Sequence, residues 1–280
     1  MRVRLFVLLL PLALAACGSS GGSHSTATPT EPLPAPPPPS TATESSPLPA
    51  PVLVFFLRDG KLAAARRDVS PARGIEAAAV RAVLEGPNAE ERQAGLTTGL
   101  HRGARLESLS IGRGVAKVDL VITDRRDFRS EADAQLVYTL TQFPAVRAVN
   151  VTTSMSTAHE AQTSTMTGNA DRSSYEQLTP AILIESPVVG DSVTSPLRVS
   201  GTANTFEATF QLEVRTGGRL IDKRFVTATS GSGTRGTFSE DVPFTVSEET
   251  LAELIVYELS AANGKRINTV RIPIGLLPQD

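Results

Sequence analysis

The chain has no tryptophan, one cysteine, three histidines and four lysines, and aromatic residues make up 5% of its 280 positions. A single cysteine leaves no partner for an internal disulfide, so apolar burial must hold the folded part together. The histidines, at positions 24, 101 and 159, lack the close spacing of a zinc site, and none stands where a general base is expected. A formal charge of −2 gives no electrostatic case for nucleic acid, which needs a basic patch that releases counterions. Scarce aromatics weigh against a surface that stacks on sugar rings.

What is present begins at the N-terminus. Arg2 and Arg4 precede an apolar stretch, residues 5–14, interrupted only by Pro11, and Leu14-Ala15-Ala16-Cys17 closes it. This order of charge, apolar core and small residues is that of a secretory signal, and it is too short for a spanning helix of about 20 residues. The tetrapeptide resembles the lipobox of bacterial lipoproteins. That resemblance implies removal of residues 1–16, a lipid on Cys17, and anchoring to the outer face of the cytoplasmic membrane. Without the signal the formal charge becomes 25 − 29 = −4. Residues 17–51 turn from Gly/Ser-rich to proline-rich and hold few large apolar side chains, which predicts an extended stalk.

From residue 52 the pattern is that of a folded domain. Residues 52–57 read as a buried strand, Asp59-Gly60 as a turn, and 62–68 as the returning strand of a hairpin. Ser70-Pro71 offers a helix start, apolar residues from Ile75 to Val83 recur at helical spacing, and Gly86-Pro87 stops the helix. Strands are expected at 105–111 and 115–121, a second helix from Ser130 with Asp133 completing a capping-box-like start, and a last strand at 146–152. The order ββαββαβ predicts a small α+β domain over 52–152. Residues 153–179 are polar and read as a linker. Seven short strands follow within 180–276, with Phe206, Ala208, Phe210, Leu212 and Val214 alternating along one of them, and predict an immunoglobulin-like sandwich.

Longer motifs carry a second resemblance. Leu84-Glu85-Gly86-Pro87, Glu91, Gly95-Leu96-Thr97-Thr98, residues 115–120 (VAKVDL) and residues 135–144 (QLVYTLTQFP) are similar to the GerMN domain of sporulation and germination proteins, although His101 stands where a proline is expected. Ile184-Glu185-Ser186-Pro187, Gly190-Asp191, residues 197–203 and Phe206-Glu207 resemble the immunoglobulin-like domain that accompanies GerMN. The resemblance implies an α+β module of the ring-building type followed by an all-β sandwich, with no catalysis and no cofactor.

Enzyme-like motifs fail on context. Gly18-Ser19-Ser20-Gly21-Gly22 fits G-x-S-x-G but lies in the stalk, and a nucleophile elbow needs a strand-turn-helix. Gly231-Ser232-Gly233-Thr234-Arg235-Gly236 fits G-x-G-x-x-G, yet a strand follows where a dinucleotide site needs a helix N-terminus. Asp124, Asp127, Glu131 and Asp133 could offer oxygen ligands to calcium, but the interleaved Arg125, Arg126 and Arg129 favour helix capping and surface pairing instead. Asp119 is expected on the solvent side of its strand, where it could pair with an arginine.

Two function classes remain open. One is a non-enzymatic scaffold that recruits envelope proteins, with sporulation or germination as the setting that the resemblance implies. The other is a module that binds peptidoglycan or another wall glycan. The second helix, residues 131–143, is expected to commit its apolar stripe to the core and to expose Asp133, Gln135, Tyr138 and Gln142 as a partner-binding face. Weak self-association and independent folding of the two domains complete the expectation.

Overall fold

The computed structural model describes residues 48–72, 74–123, 130–156, 161–165 and 168–279. The expected signal, Cys17 and almost all of the stalk lie outside the described residues, as do Asp124, Asp127, His24 and His159. No described helix is long and apolar enough to cross a membrane.

Strands β1 (Ala50–Arg58) and β2 (Lys61–Val69) form the expected hairpin, in unbroken antiparallel register around Asp59-Gly60. Helix α1 (Ile75–Glu85) follows. It starts later than Ser70-Pro71 suggested, because the Gly74 amide bonds back to the Pro71 carbonyl in a turn and Gly74 becomes the N-cap. Its stop at Gly86 is as read. A short helix the sequence reading missed, α2 (Ala89–Gln93), is held by a capping box between Asn88 and Glu91. Strands β3 (Arg105–Gly112) and β4 (Val115–Ile122) pair antiparallel, and α3 (Ser130–Leu140) carries the chain across to β5 (Ala148–Ser156), which runs parallel to β4. A fourth strand, β6 (Ala161–Thr165), closes the order β3-β4-β5-β6. On β4, Ala116, Val118, Leu120 and Ile122 enter the core beside α3. Asp119 points the other way, as expected, and accepts a hydrogen bond from Ser108; among the described residues no arginine pairs with it.

The stretch 153–179 is not a linker. It contains the end of β5, β6 and a 3-10 turn, Arg172–Leu178, and Tyr175 and Thr179 are buried. Its polar composition hid this, because only Tyr175 and the partly buried Leu178 supply the large apolar surface that docks the turn.

The second domain has two facing sheets. One has the order β11-β10-β13-β14-β8 and the other β12-β9-β7. They are built from β7 (Ile182–Ser186), β8 (Ser192–Val193), β9 (Leu197–Ala203), β10 (Thr209–Thr216), β11 (Arg219–Thr227), β12 (Gly236–Val242), β13 (Thr250–Leu259) and β14 (Arg266–Leu276). Phe210, Leu212 and Val214 of β10 enter the sandwich core. Phe206 does not: it lies in a 3-10 turn, Phe206–Ala208, and is exposed. Gly231 lies in, and Gly236 ends, the loop that carries the chain from β11 in one sheet to β12 in the other, so the glycine motif serves a connection between sheets.

The two domains share material. On β7, Ile182 and Ile184 face the sandwich core while Leu183, with Val188, belongs to the core of the first domain. Alternation along one strand therefore serves two cores at once. Residues Ser45–Asp280 form one compact unit, against the expectation of independent folding. Arg66 adds an ion pair to Asp191 at 3.0 Å, and the Asp191 carboxylate also caps the Val188 amide. Gly201 of β9 has no room for a side chain, since a Cβ there would lie 2.0 Å from the Leu183 carbonyl oxygen.

Candidate interaction surface

The face of α3 expected to meet a partner is turned inward. Asp133, Gln135 and Tyr138 are buried, and Gln142, just beyond the helix, is half-buried. The reason lies in β1. That strand has β2 on one edge and no strand on the other, so the outward amides and carbonyls of Leu53, Phe55 and Leu57 need partners. Gln142 accepts from the Leu53 amide at 2.9 Å and donates to its carbonyl at 2.6 Å. Thr139 accepts from the Phe55 amide at 3.2 Å, and Gln135 donates to the Phe55 carbonyl at 2.9 Å. The backbone of Thr97 pairs with Leu57 in both directions. Alternate strand residues are about 6.6–6.8 Å apart, close to the pitch of about 5.4 Å for a helical turn. Polar side chains at 135, 139 and 142 can therefore read one strand edge in sequence. Helix α3 takes the place of a missing strand.

The other polar residues of the first domain are also internal. Glu91 is buried and paired with Arg67, whose guanidinium lies over the Phe56 ring at 5.4 Å. Tyr138 bonds to Thr179 at 2.6 Å and has Arg172 over its ring at 4.8 Å. Burial, partly offset by the Thr179 hydrogen bond and nearby arginines, raises the Tyr138 hydroxyl above its ordinary range. Among the described residues, Asp133 makes no capping hydrogen bond to the helix. It is buried with Oδ1 unpartnered among the described residues, and burial lifts its carboxyl to about 7. No group of acidic, histidine or cysteine side chains among the described residues could hold a metal ion.

The open surface is on the second domain. On β10, Phe210, Leu212 and Val214 face the core, so Gln211, Glu213 and Arg215 face outward. Cross-strand pairing carries that face to Lys223 and Phe225 on β11, to Ile255 and Tyr257 on β13, and to Arg266 and Arg271 on β14. Of eight exposed large apolar side chains among the described residues, four lie on this face: Leu220, Phe225, Leu251 and Leu259. Leu251 is 84% exposed and Phe225 65%, but the register sets them apart, since Phe225 shares a row with Tyr257, six residues along β13 from Leu251; the exposed apolar side chains stand singly around the margin of the sheet.

The same face is basic. Arg215, Lys223, Arg266 and Arg271 stand against Glu213 and Glu253, a formal balance of 4 − 2 = +2. Glu213 is fully covered. Burial alone would raise its carboxyl, but hydrogen bonds from Tyr257 and Arg215 and the charge of Arg266 outweigh that and hold it at about 2. Arg266 also lies over the Tyr257 ring at 3.9 Å. The cations are thus fixed in place on a rigid sheet, beside exposed leucine and phenylalanine. Sequence reasoning missed this face because its residues are spread over four strands. Only the alternation in β10 hinted at which side chains point out.

Comparison with known proteins bears on each domain separately. Residues 53–153 match the Germane family, described as "Sporulation and spore germination". Residues 181–265 match the Gmad2 family, described as "Immunoglobulin-like domain of bacterial spore germination". Among solved structures, the tandem GerMN domains of the sporulation protein GerM from Bacillus subtilis are similar at 22% identity, over 41% of this chain and 42% of that one, with a TM-score of 0.30. That likeness takes in less than half of either chain. No curated protein matches.

Proposed function

We propose that this protein is a non-enzymatic recruitment module of the bacterial cell envelope, acting in sporulation or spore germination and tethered through a lipid on Cys17. The germination-type domain pair and the lipobox-like segment support that setting. The observation that carries the recruitment reading is the outer face of the five-stranded sheet, where fixed cations occupy the middle and exposed apolar side chains stand around them. Such a face suits a protein partner whose acidic groups meet the cations and whose apolar groups meet the flanking side chains, because charge complementarity orients the encounter and apolar contact holds it. Self-association through this face is disfavoured by its own positive charge. The α+β domain contributes rigidity, since its helix α3 is consumed in closing the β1 edge and its core is continuous with β7.

Replacing Phe225 and Leu251 together by serine tests this reading. Both side chains are exposed, so stability should change by no more than about 0.5 kcal/mol, while the yield of protein crosslinked to the module in intact cells falls sharply. An unchanged yield contradicts a docking role for this face, and retention on isolated cell wall that depends on Phe225 would favour the glycan-binding alternative.

A further inference from the structure

Where the first domain meets the sandwich there is a cleft of about 640 Å³, between the β1–β2 turn, the start of β7 and the middle of β14. This is within the range of small-ligand pockets, which favour domain junctions. Its walls are apolar where Leu62, Leu183 and Ile272 line it, and its polar groups are mostly cationic: Arg58, Lys61, Arg235 and Arg271 against Asp59 and Glu176.

These cations are not equally satisfied. Arg235 is held by both oxygens of Glu176 and by the Pro180 carbonyl. Arg271 pairs with Glu253. Lys61 donates to the Gln177 carbonyl. Arg58 donates through Nη1 to the Arg271 carbonyl at 2.7 Å, and its Nε is buried with no partner among the described residues. Arg58 therefore lines the cleft with a guanidinium that keeps its charge and has no carboxylate partner among the described residues, its one hydrogen bond going to a backbone carbonyl. A carboxylate supplies the counter-charge that Arg58 lacks, since guanidinium and carboxylate form the strongest class of hydrogen bond available here. The leucine and isoleucine walls would cover an apolar body attached to it.

We propose that this cleft is a binding site for a small carboxylate with an apolar body, such as the C-terminus of a short apolar peptide, with Arg58 as its anchor. The site borders the sheet face proposed for protein recruitment and shares Arg271 with it, but its anchor, Arg58, lies on β1, and neither reading depends on the other.

Titration calorimetry on the full chain tests it, with N-acetyl-leucyl-alanine as the probe and its C-terminal amide as the control. The acid should bind saturably below about 10 mM, and the amide about tenfold or more weakly. Arg58→Gln should lose at least about tenfold in affinity for the acid and bind acid and amide alike. Ala63→Leu, which narrows the cleft without touching the guanidinium, should weaken binding as well and keeps the test decisive if Arg58→Gln does not fold. Hexyl phosphate binding as well as the acid would widen the ligand class to anionic heads in general. Absence of saturable binding by the acid, or equal affinity in wild type, Arg58→Gln and Ala63→Leu, would overturn the proposal.

Discussion

Gln142 holds both the amide and the carbonyl of Leu53, 89 residues away in sequence, through a single side-chain amide. Its donor and acceptor match the two backbone groups of one strand residue, so the contact replaces one rung of a sheet. With Thr139 and Gln135 on Phe55, and Thr97 on Leu57, the second edge of β1 is satisfied at every alternate residue without a neighbouring strand.

Gln142→Leu should therefore cost more than a half-buried surface substitution. Two backbone groups lose their partners, at about 1–3 kcal/mol each where water cannot replace them. Urea unfolding should show a loss of about 2–4 kcal/mol, and Gln142→Glu should fall between, since it keeps an acceptor and loses the donor. A change below about 0.5 kcal/mol would mean that water serves the Leu53 edge equally well.

Gly201→Ala places a methyl group where the Leu183 carbonyl oxygen lies 2.0 Å away. Because Leu183 sits in the first core and its neighbours in the second, the displacement should reach both domains. A loss of about 3 kcal/mol or more is expected, with a single unfolding transition monitored by tyrosine fluorescence and by far-ultraviolet circular dichroism alike. Two separated transitions in the wild-type protein would contradict the shared core.

Asp133 gives a pH dependence of definite sign. Its carboxyl titrates at about 7 when folded, against 3.8 as its ordinary value, because burial disfavours the charge. Between those values the folded state binds the extra proton, so stability falls as pH rises from about 4 to 7 and levels off above. Asp133→Asn should remove that slope and be the more stable protein above pH 7, by an amount on the order of 2–4 kcal/mol. Parallel pH profiles for the two proteins would show that Asp133 is already charged in the fold.

Glu213 works in the opposite direction. Its folded value of about 2 lies below the ordinary 4.5, so its contribution is present above about pH 4.5 and is lost as pH falls toward 2. Glu213→Gln should flatten the acid limb of the stability curve by on the order of 1–3 kcal/mol, discounted because its cationic partners are partly exposed. It should also loosen Arg215 and Arg266 on the sheet face, visible as altered nuclear magnetic resonance shifts of their side chains. An unchanged acid limb would contradict the ion cluster.

Much of the fold was legible in residue order. The β1–β2 hairpin, the Gly86 stop and the alternating core residues of β10 depend on local pattern, and they stand where the pattern put them. The candidate interface was misread for a physical reason. On a helix, Gln135, Tyr138 and Gln142 look like solvent-facing polar residues, because sequence shows the helix but not the open strand edge opposite. The spacing of 135, 139 and 142 was the available signal, since a helix stripe of Gln and Thr can serve backbone as readily as water. Asp133 was misread similarly: an acid in a first turn suggests a cap, and only the packing around it shows that it is buried. The extra structure in 153–179 hangs on Tyr175 and Thr179, two residues within a polar stretch that no periodicity marks.

Recruitment of a partner stands or falls with the outer face of the five-stranded sheet. A photo-crosslinking residue placed singly at Phe225, Leu251 or Ile111 in intact cells tests it directly. All three positions are exposed, and Ile111 lies on β3 in the first domain. The account predicts discrete protein adducts from positions 225 and 251 and none from 111. Adducts from 111 alone would contradict it and place the interaction on the α+β domain.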